Sequence, residues 1–186
     1  MEAQPWVEVA NSLPSITDGT TLASSASIAT ISPSASTNPA LTFGANSLFP
    51  GAALRVTGAG RFSTTGTPTL NLGLYWGGSG GTALATTGAI TTTSGVTNVP
   101  FWVSAIIVCR AIGTSGTLFT QGIVHGISGT VGVSVVPMPA SAPAAVTVDT
   151  TSAKSLDLTA TWGTSSASNT ITLHNWIVEA LNFNPV

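Results

Sequence analysis

Between positions 50 and 85 apolar and polar residues alternate. Leu54, Val56 and Phe62 stand against Arg55, Thr57 and Arg61, then Leu70, Leu72, Leu74 and Trp76 against Asn71, Gly73 and Tyr75. Successive side chains on a strand point to opposite faces, so a sustained period of two commits both runs to strands with one buried face. The break between them, STTGTP at 63–68, carries turn residues, and the two runs are expected to pair antiparallel across it. A second loop, GGSGG at 77–81, is expected to turn the chain back as a hairpin. It lacks the Lys-Ser/Thr ending of a phosphate-binding loop, and no helical pattern follows it.

The same period recurs downstream. Phe101, Val103, Ala105, Ile107 and Cys109 share one face of a run, while Trp102, Ile106, Val108 and Ile112 occupy the other, interrupted by Ser104 and Arg110. A strand apolar on both sides is either central in a sandwich or faces a second subunit. The next run sets Leu118 and Val124 against Phe119, Ile123 and Ile127. Val131, Val133 and Val135 are in phase, and they lead into PMPASAP at 137–143, read as an extended surface arm because proline removes ladder donors. Val146 and Val148 begin another strand, and Leu156, Leu158, Ala160 and Trp162 alternate with Ser155, Asp157, Thr159 and Thr161. The last run, 169–182, reads as a long closing strand that protects an open edge, with Ile171, Leu173 and Ile177 in one phase and His174, Trp176 and Val178 in the other.

Counted this way there are about eight to ten strands and no convincing helix, which predicts an all-β, two-layer antiparallel β-sandwich of jelly-roll type. Missing crossover helices exclude a parallel α/β fold. Residues 1–48 read as an N-terminal arm with the first short strands, and 49–186 as the main sandwich of a single domain.

Charge narrows the partners. Only 5% of the 186 residues are Asp, Glu, Lys or Arg, with a net charge of -2, against about 25% charged in an ordinary soluble domain. So few cations cannot build the basic stripe that a phosphate backbone requires, so nucleic acid is not an expected partner. Weak repulsion between copies favours lasting self-association or docking on a larger body, with a hydroxyl-coated monomer as the alternative. Cys109 is alone, so nothing staples the fold, and it reads as a buried small residue. No secretory leader pattern follows Met1, and no apolar run reaches the roughly 20 residues of a membrane helix, so a membrane is not an expected partner either.

The search for chemistry returns little. His125 and His174 sit in no metal-ligand spacing, and no metal or cofactor is expected. The carboxylates are Glu2, Glu8, Asp18, Asp149, Asp157 and Glu179. A glycan-degrading enzyme would need two of them across a cleft, with Asp149, Asp157 and Glu179 as candidates, yet an enzyme is not the expected outcome. Asp157, on the polar phase of its strand, is expected to be solvated. Glu179, flanked by apolar residues, is expected to have a cationic partner in Arg55, Arg61 or Arg110, fixing register or a subunit contact. Trp76 and Tyr75 could stack on a sugar, but Trp76 is in phase with the leucines and reads first as core or interface. Candidate interface residues are Trp6, Trp102, Ile106, Val108, Phe119, Ile123 and Trp176.

Four strings, PGAALRV at 50–56, STTGTPTLNLGLYWGG at 63–78, VTVDTT at 146–151 and ATWGTSSASNTIT at 160–172, resemble small structural proteins encoded among the virion genes of tailed bacteriophages, particularly those of actinobacteria. The resemblance covers most of the chain from about position 49 to 182. It implies a virion protein made in the host cytoplasm and placed on the outer capsid surface. There it would be a decoration (minor capsid) protein, a homotrimer that binds and reinforces the major capsid protein. The alternative it implies is a minor tail or fibre-associated protein that binds a host surface glycan. No catalytic residue is carried over.

Overall fold

The computed structural model describes residues 17–34, 42–128 and 134–182, so the expectations for Glu2, Trp6, Glu8, Val131 and Val133 lie outside the described residues. In chain order the strands are β1 (Leu22–Ala23), β2 (Ala29–Thr30), β3 (Thr42–Phe43), β4 (Ala53–Ser63), β5 (Thr69–Trp76), β6 (Thr82–Thr86), β7 (Ile90–Thr91), β8 (Val99–Ala111), β9 (Gly116–His125), β10 (Val135–Met138), β11 (Ala145–Val148), β12 (Lys154–Trp162) and β13 (Thr170–Ala180). Four of these, β1, β2, β3 and β7, are only two residues long. The nine longer ones are those that periodicity can reveal.

The strands form two antiparallel sheets packed as a β-sandwich. Sheet A runs β1-β13-β4-β8-β9-β10, with β11 also on β9; sheet B runs β2-β12-β5-β6, with β3 also on β12 and β7 on β5. Their inward faces carry the residues that the alternation assigned. Leu54, Val56, Phe62, Phe101, Val103 and Ile107 come from sheet A, facing Leu70, Leu72, Leu74, Leu156 and Leu158 from sheet B, all within one buried cluster.

The expected pairing of β4 with β5 is wrong. β4 lies between β13 and β8, whereas β5 lies between β12 and β6 in the other sheet. Both apolar faces point inward as expected, but a period of two fixes a face and says nothing of the neighbour. The 63–68 break carries the chain across the roughly 10 Å between sheets. The 77–81 loop does make a hairpin: it joins β5 to β6 through a 3-10 turn at Gly78–Gly80, and Gly77 and Gly78 have φ of 97° and 70°, conformations that glycine adopts without a Cβ penalty.

Three further expectations are corrected. The 137–143 stretch is not a free arm: Pro137 and Met138 belong to β10, paired with Ile123 and Gly122, and Met138 is fully buried. Proline is tolerated there because β10 is an edge strand. Ala140 N then donates to Thr86 O at 2.9 Å, tying the edge of sheet A to sheet B. Ile127 is buried rather than outward, because Gly126 at φ 88° turns the chain and inverts its phase.

Trp176, placed among the interface candidates, is also fully buried. The register of β13 against β4 slips between Leu173 and Asn175. An extra residue in a strand moves every later side chain to the other face. Ile171 and Leu173 before the bulge, and Trp176 and Val178 after it, therefore all point into the core.

Candidate functional site

The outer face of sheet A is where the remaining candidates meet. β8 and β9 pair with Val108 opposite Phe119, Ser104 opposite Ile123, Ile106 opposite Gln121 and Trp102 opposite His125. Residues opposite each other in an antiparallel ladder share a face, so Trp102, Ile106, Val108, Phe119 and Ile123 lie side by side on one surface. Trp102 is 50% exposed, Ile106 39% and Ile123 37%, while Val108 and Phe119 are part-buried. Five of the seven sequence candidates are thus together. Trp176 is in the core, and Trp6 lies outside the described residues.

Sequence reasoning missed how far this surface extends. Val135, 56% exposed, lies opposite His125, and Pro137 opposite Ile123, which continues the apolar rows of β8 and β9 onto β10. On the other flank Thr57 lies opposite both Ser104 and Ile177. The signal for Val135 was its in-phase valine run, but a run cannot say which strand it joins.

Charge on this face is sparse and mostly engaged. Arg55 and Glu179 are opposite each other on β4 and β13, and Arg55 Nη1 lies 3.5 Å from Glu179 Oε2. Of the three arginines considered for Glu179, Arg55 is the partner. The pair is solvent-exposed on the Arg55 side and contributes about 0–1 kcal/mol, so it marks register more than it holds the fold. Arg110 lies over the Phe119 ring, its Cζ 3.8 Å from the centroid, a stacking that flattens the guanidinium against the apolar surface.

The other chemistry-bearing residues do not converge. His125 is on β9 and His174 on β13, with β4 and β8 between them in the sheet. His174 Nδ1 lies 3.0 Å from Asp18 Oδ1. Among the described residues no three His, Cys, Asp or Glu side chains group to hold a metal. Among the described residues no helix is long and apolar enough to cross a membrane. Trp76 is buried, as its phase with the leucines implied, and its Nε1 donates to Asp149 O at 3.1 Å. Cys109 is buried, and burial pushes its thiol pKa up, away from the reactive thiolate.

The carboxylates serve local structure. Asp157 is not solvated but 3% exposed, accepting from Ser32 Oγ at 2.9 Å and from Ser155 Oγ. The cover is the chain around Ile31 and Ser32, whose backbone N–H groups both donate to Leu158 O. Asp149 accepts from Thr151 Oγ1 at 2.6 Å, Ser152 Oγ at 2.7 Å and Thr151 N at 2.8 Å. The Thr151 and Ser152 hydroxyls, followed by the Thr151 amide, hold its pKa down to about 2. Because the folded value lies below the model-compound 3.8, the turn's contribution to stability is complete above 3.8 and is lost as pH falls through about 2. A carboxyl-detected NMR titration is expected to place the Asp149 midpoint near 2; a midpoint near 3.8 would show that the turn does not hold the carboxylate.

No family model and no curated protein matches this chain. Similar solved structures include VP2 of infectious bursal disease virus in its subviral particle, at 13% identity and a TM-score of 0.19, over 97% of this chain and 42% of that one. A structure of infectious bursal disease virus Gx strain aligns at 15% identity and a TM-score of 0.18, with the same coverages. The chain therefore spans less than half of these chains, and likenesses of this size carry no argument about fold or role.

Proposed function

We propose that this chain is a non-enzymatic virion structural protein, a capsid decoration protein that binds preformed shell protein through the outer face of sheet A. The observation that carries the reading is the cluster of outward apolar side chains Trp102, Ile106, Val108, Phe119 and Ile123, extended by Val135 and interleaved with Ser104, Gln121 and His125. Solvated sheet faces ordinarily alternate apolar-in with polar-out, and an exposed apolar patch of this kind marks a binding surface. The three strands that carry it, about 4.8 Å apart, over some eight residues at about 3.3 Å each, make a face of roughly 400 Å² before side-chain relief is added. That is about half of the roughly 800 Å² per partner of a standard stable interface.

The strand order supports the jelly-roll reading. Eight of the strands give β1-β13-β4-β8 in one sheet and β2-β12-β5-β6 in the other, so that early strands pair with late ones, and β9 to β11 add to the β8 edge. Jelly rolls are common in capsid and lectin domains, although a fold alone assigns no function. With 5% charged residues the contact would rest on apolar burial, at about 25 cal/mol per Å², and would be insensitive to salt.

The test is add-back. Purified protein is mixed with shells that lack it and sedimented with them. The proposal expects saturable co-sedimentation that persists in molar salt. Absence of binding, or binding abolished by that salt, would contradict it.

A further inference from the structure

The charges of the described residues are matched within the chain, with one exception on the outer face of sheet A. Arg55 faces Glu179, Arg61 Nη1 donates to Asn98 O at 2.6 Å, and the charge of Lys154 acts on Asp149. On the acidic side Asp18 meets His174, Asp149 is held by its own turn, Asp157 accepts from Ser32 and Ser155, and Glu179 belongs to Arg55. Arg110 is left with no acceptor among the described residues. What it meets instead is the Phe119 ring, 3.8 Å from its Cζ.

The strand itself places it there. The register of β8 against β9 slips between Cys109 and Ala111, with Cys109 opposite Leu118 and Ala111 opposite Thr117, so Arg110 is the extra residue of a bulge. A bulge re-aims the side chain it carries. Arg110 is exposed, yet laid flat on an aromatic ring at the border of the apolar cluster, where Phe119 lies opposite Val108. The ring fixes the guanidinium plane and leaves its fork of N–H donors without an acceptor from this chain.

A shell that covers Trp102, Ile106 and Phe119 also takes water from that guanidinium. Removing a charge from water is unfavourable unless an acceptor replaces the water. The acceptor that matches a planar fork is a carboxylate, met by two parallel N–H···O bonds.

We propose that Arg110 is the polar anchor of the shell contact and that the shell protein presents an Asp or Glu carboxylate to it. The inference rests on the shell contact proposed above and gives that partner a chemistry, an apolar surface with an acidic group at its border. A pair at the border is screened by salt, so Arg110 supplies the salt-sensitive share of a contact whose apolar share is not.

The experiment measures shell co-sedimentation of the full chain, Arg110→Met and Arg110→Glu, at low and at molar salt. Methionine keeps an unbranched apolar stem for Phe119 and removes the charge. At low salt the expected result is binding about tenfold weaker for Arg110→Met and at least about a hundredfold weaker for Arg110→Glu, with unchanged unfolding midpoints. In molar salt the unaltered chain and Arg110→Met are expected to bind within about twofold of each other. The low-salt effect is expected to persist in a chain carrying Glu2→Gln and Glu8→Gln, the two acidic side chains outside the described residues. Equal binding of the unaltered chain and Arg110→Met at low salt would overturn the inference and leave the shell contact standing. An effect that disappears with Glu2 and Glu8, or that does not shrink with salt, would do the same. An unaltered chain that binds no shell at either salt would remove the contact itself.

Discussion

Replacing Trp176 by alanine is expected to destabilise the protein by about 3–5 kcal/mol, whereas Trp102→Ala is expected to cost only about 1–1.5 kcal/mol. The two tryptophans lie on adjacent regions of one sheet, on β13 and β8, and differ in which face they occupy. Trp176 is fully buried, packed in the two-sheet core, and its removal leaves a large cavity between the sheets. Trp102 is half exposed, so truncating it forfeits only about half of the side chain's burial and leaves no cavity between the sheets. Urea unfolding of both variants checks this through the midpoint at constant slope. Equal losses would mean that the bulge between Leu173 and Asn175 does not turn Trp176 inward.

The double variant Ile106→Lys, Ile123→Lys is expected to bind shells at least about a hundredfold more weakly while folding normally. Both side chains are more than a third exposed, so a lysine at either site keeps its ammonium in water in the free protein. In the complex each change forfeits about 0.5–1 kcal/mol of the apolar burial that binding adds and traps a charge without a partner, and 1.4 kcal/mol is a factor of ten. The two positions are diagonal neighbours across β8 and β9, since Ile106 faces Gln121 and Ser104 faces Ile123. Their effects are therefore expected to be non-additive. Shell co-sedimentation measures the loss, and an unchanged unfolding midpoint separates it from misfolding. Unchanged binding by the folded variant would place the contact elsewhere.

What the sequence could reveal follows from what a period of two encodes. The inward faces of β5 and β8 are readable in Leu70, Leu72 and Leu74 and in Phe101 to Cys109, because burial of one face is the constraint that produces alternation. The second apolar face of β8 was readable as a departure from that alternation, since Trp102, Ile106 and Val108 stand where polar residues would, and it carries the candidate site. Partner choice is a separate matter. β4 and β5 alternate as a hairpin would, yet they sit in different sheets.

Phase breaks were the other failure. In β13 the polar pair His174 and Asn175 separates two in-phase apolar pairs, Ile171 with Leu173 and Trp176 with Val178, and that spacing is the mark of a bulge. Gly126 did the same to Ile127. Asp157 was beyond sequence because Ser32, which covers it, is 125 positions away. The reach of the face onto β10 depended on a pairing that Val135 alone could not announce.

The central claim is most directly tested by counting copies of this chain per intact particle, by quantitative mass spectrometry against the main shell protein. A coat built through the outer face of sheet A predicts hundreds of copies in simple ratio to the shell. A handful of copies, or none, would contradict it.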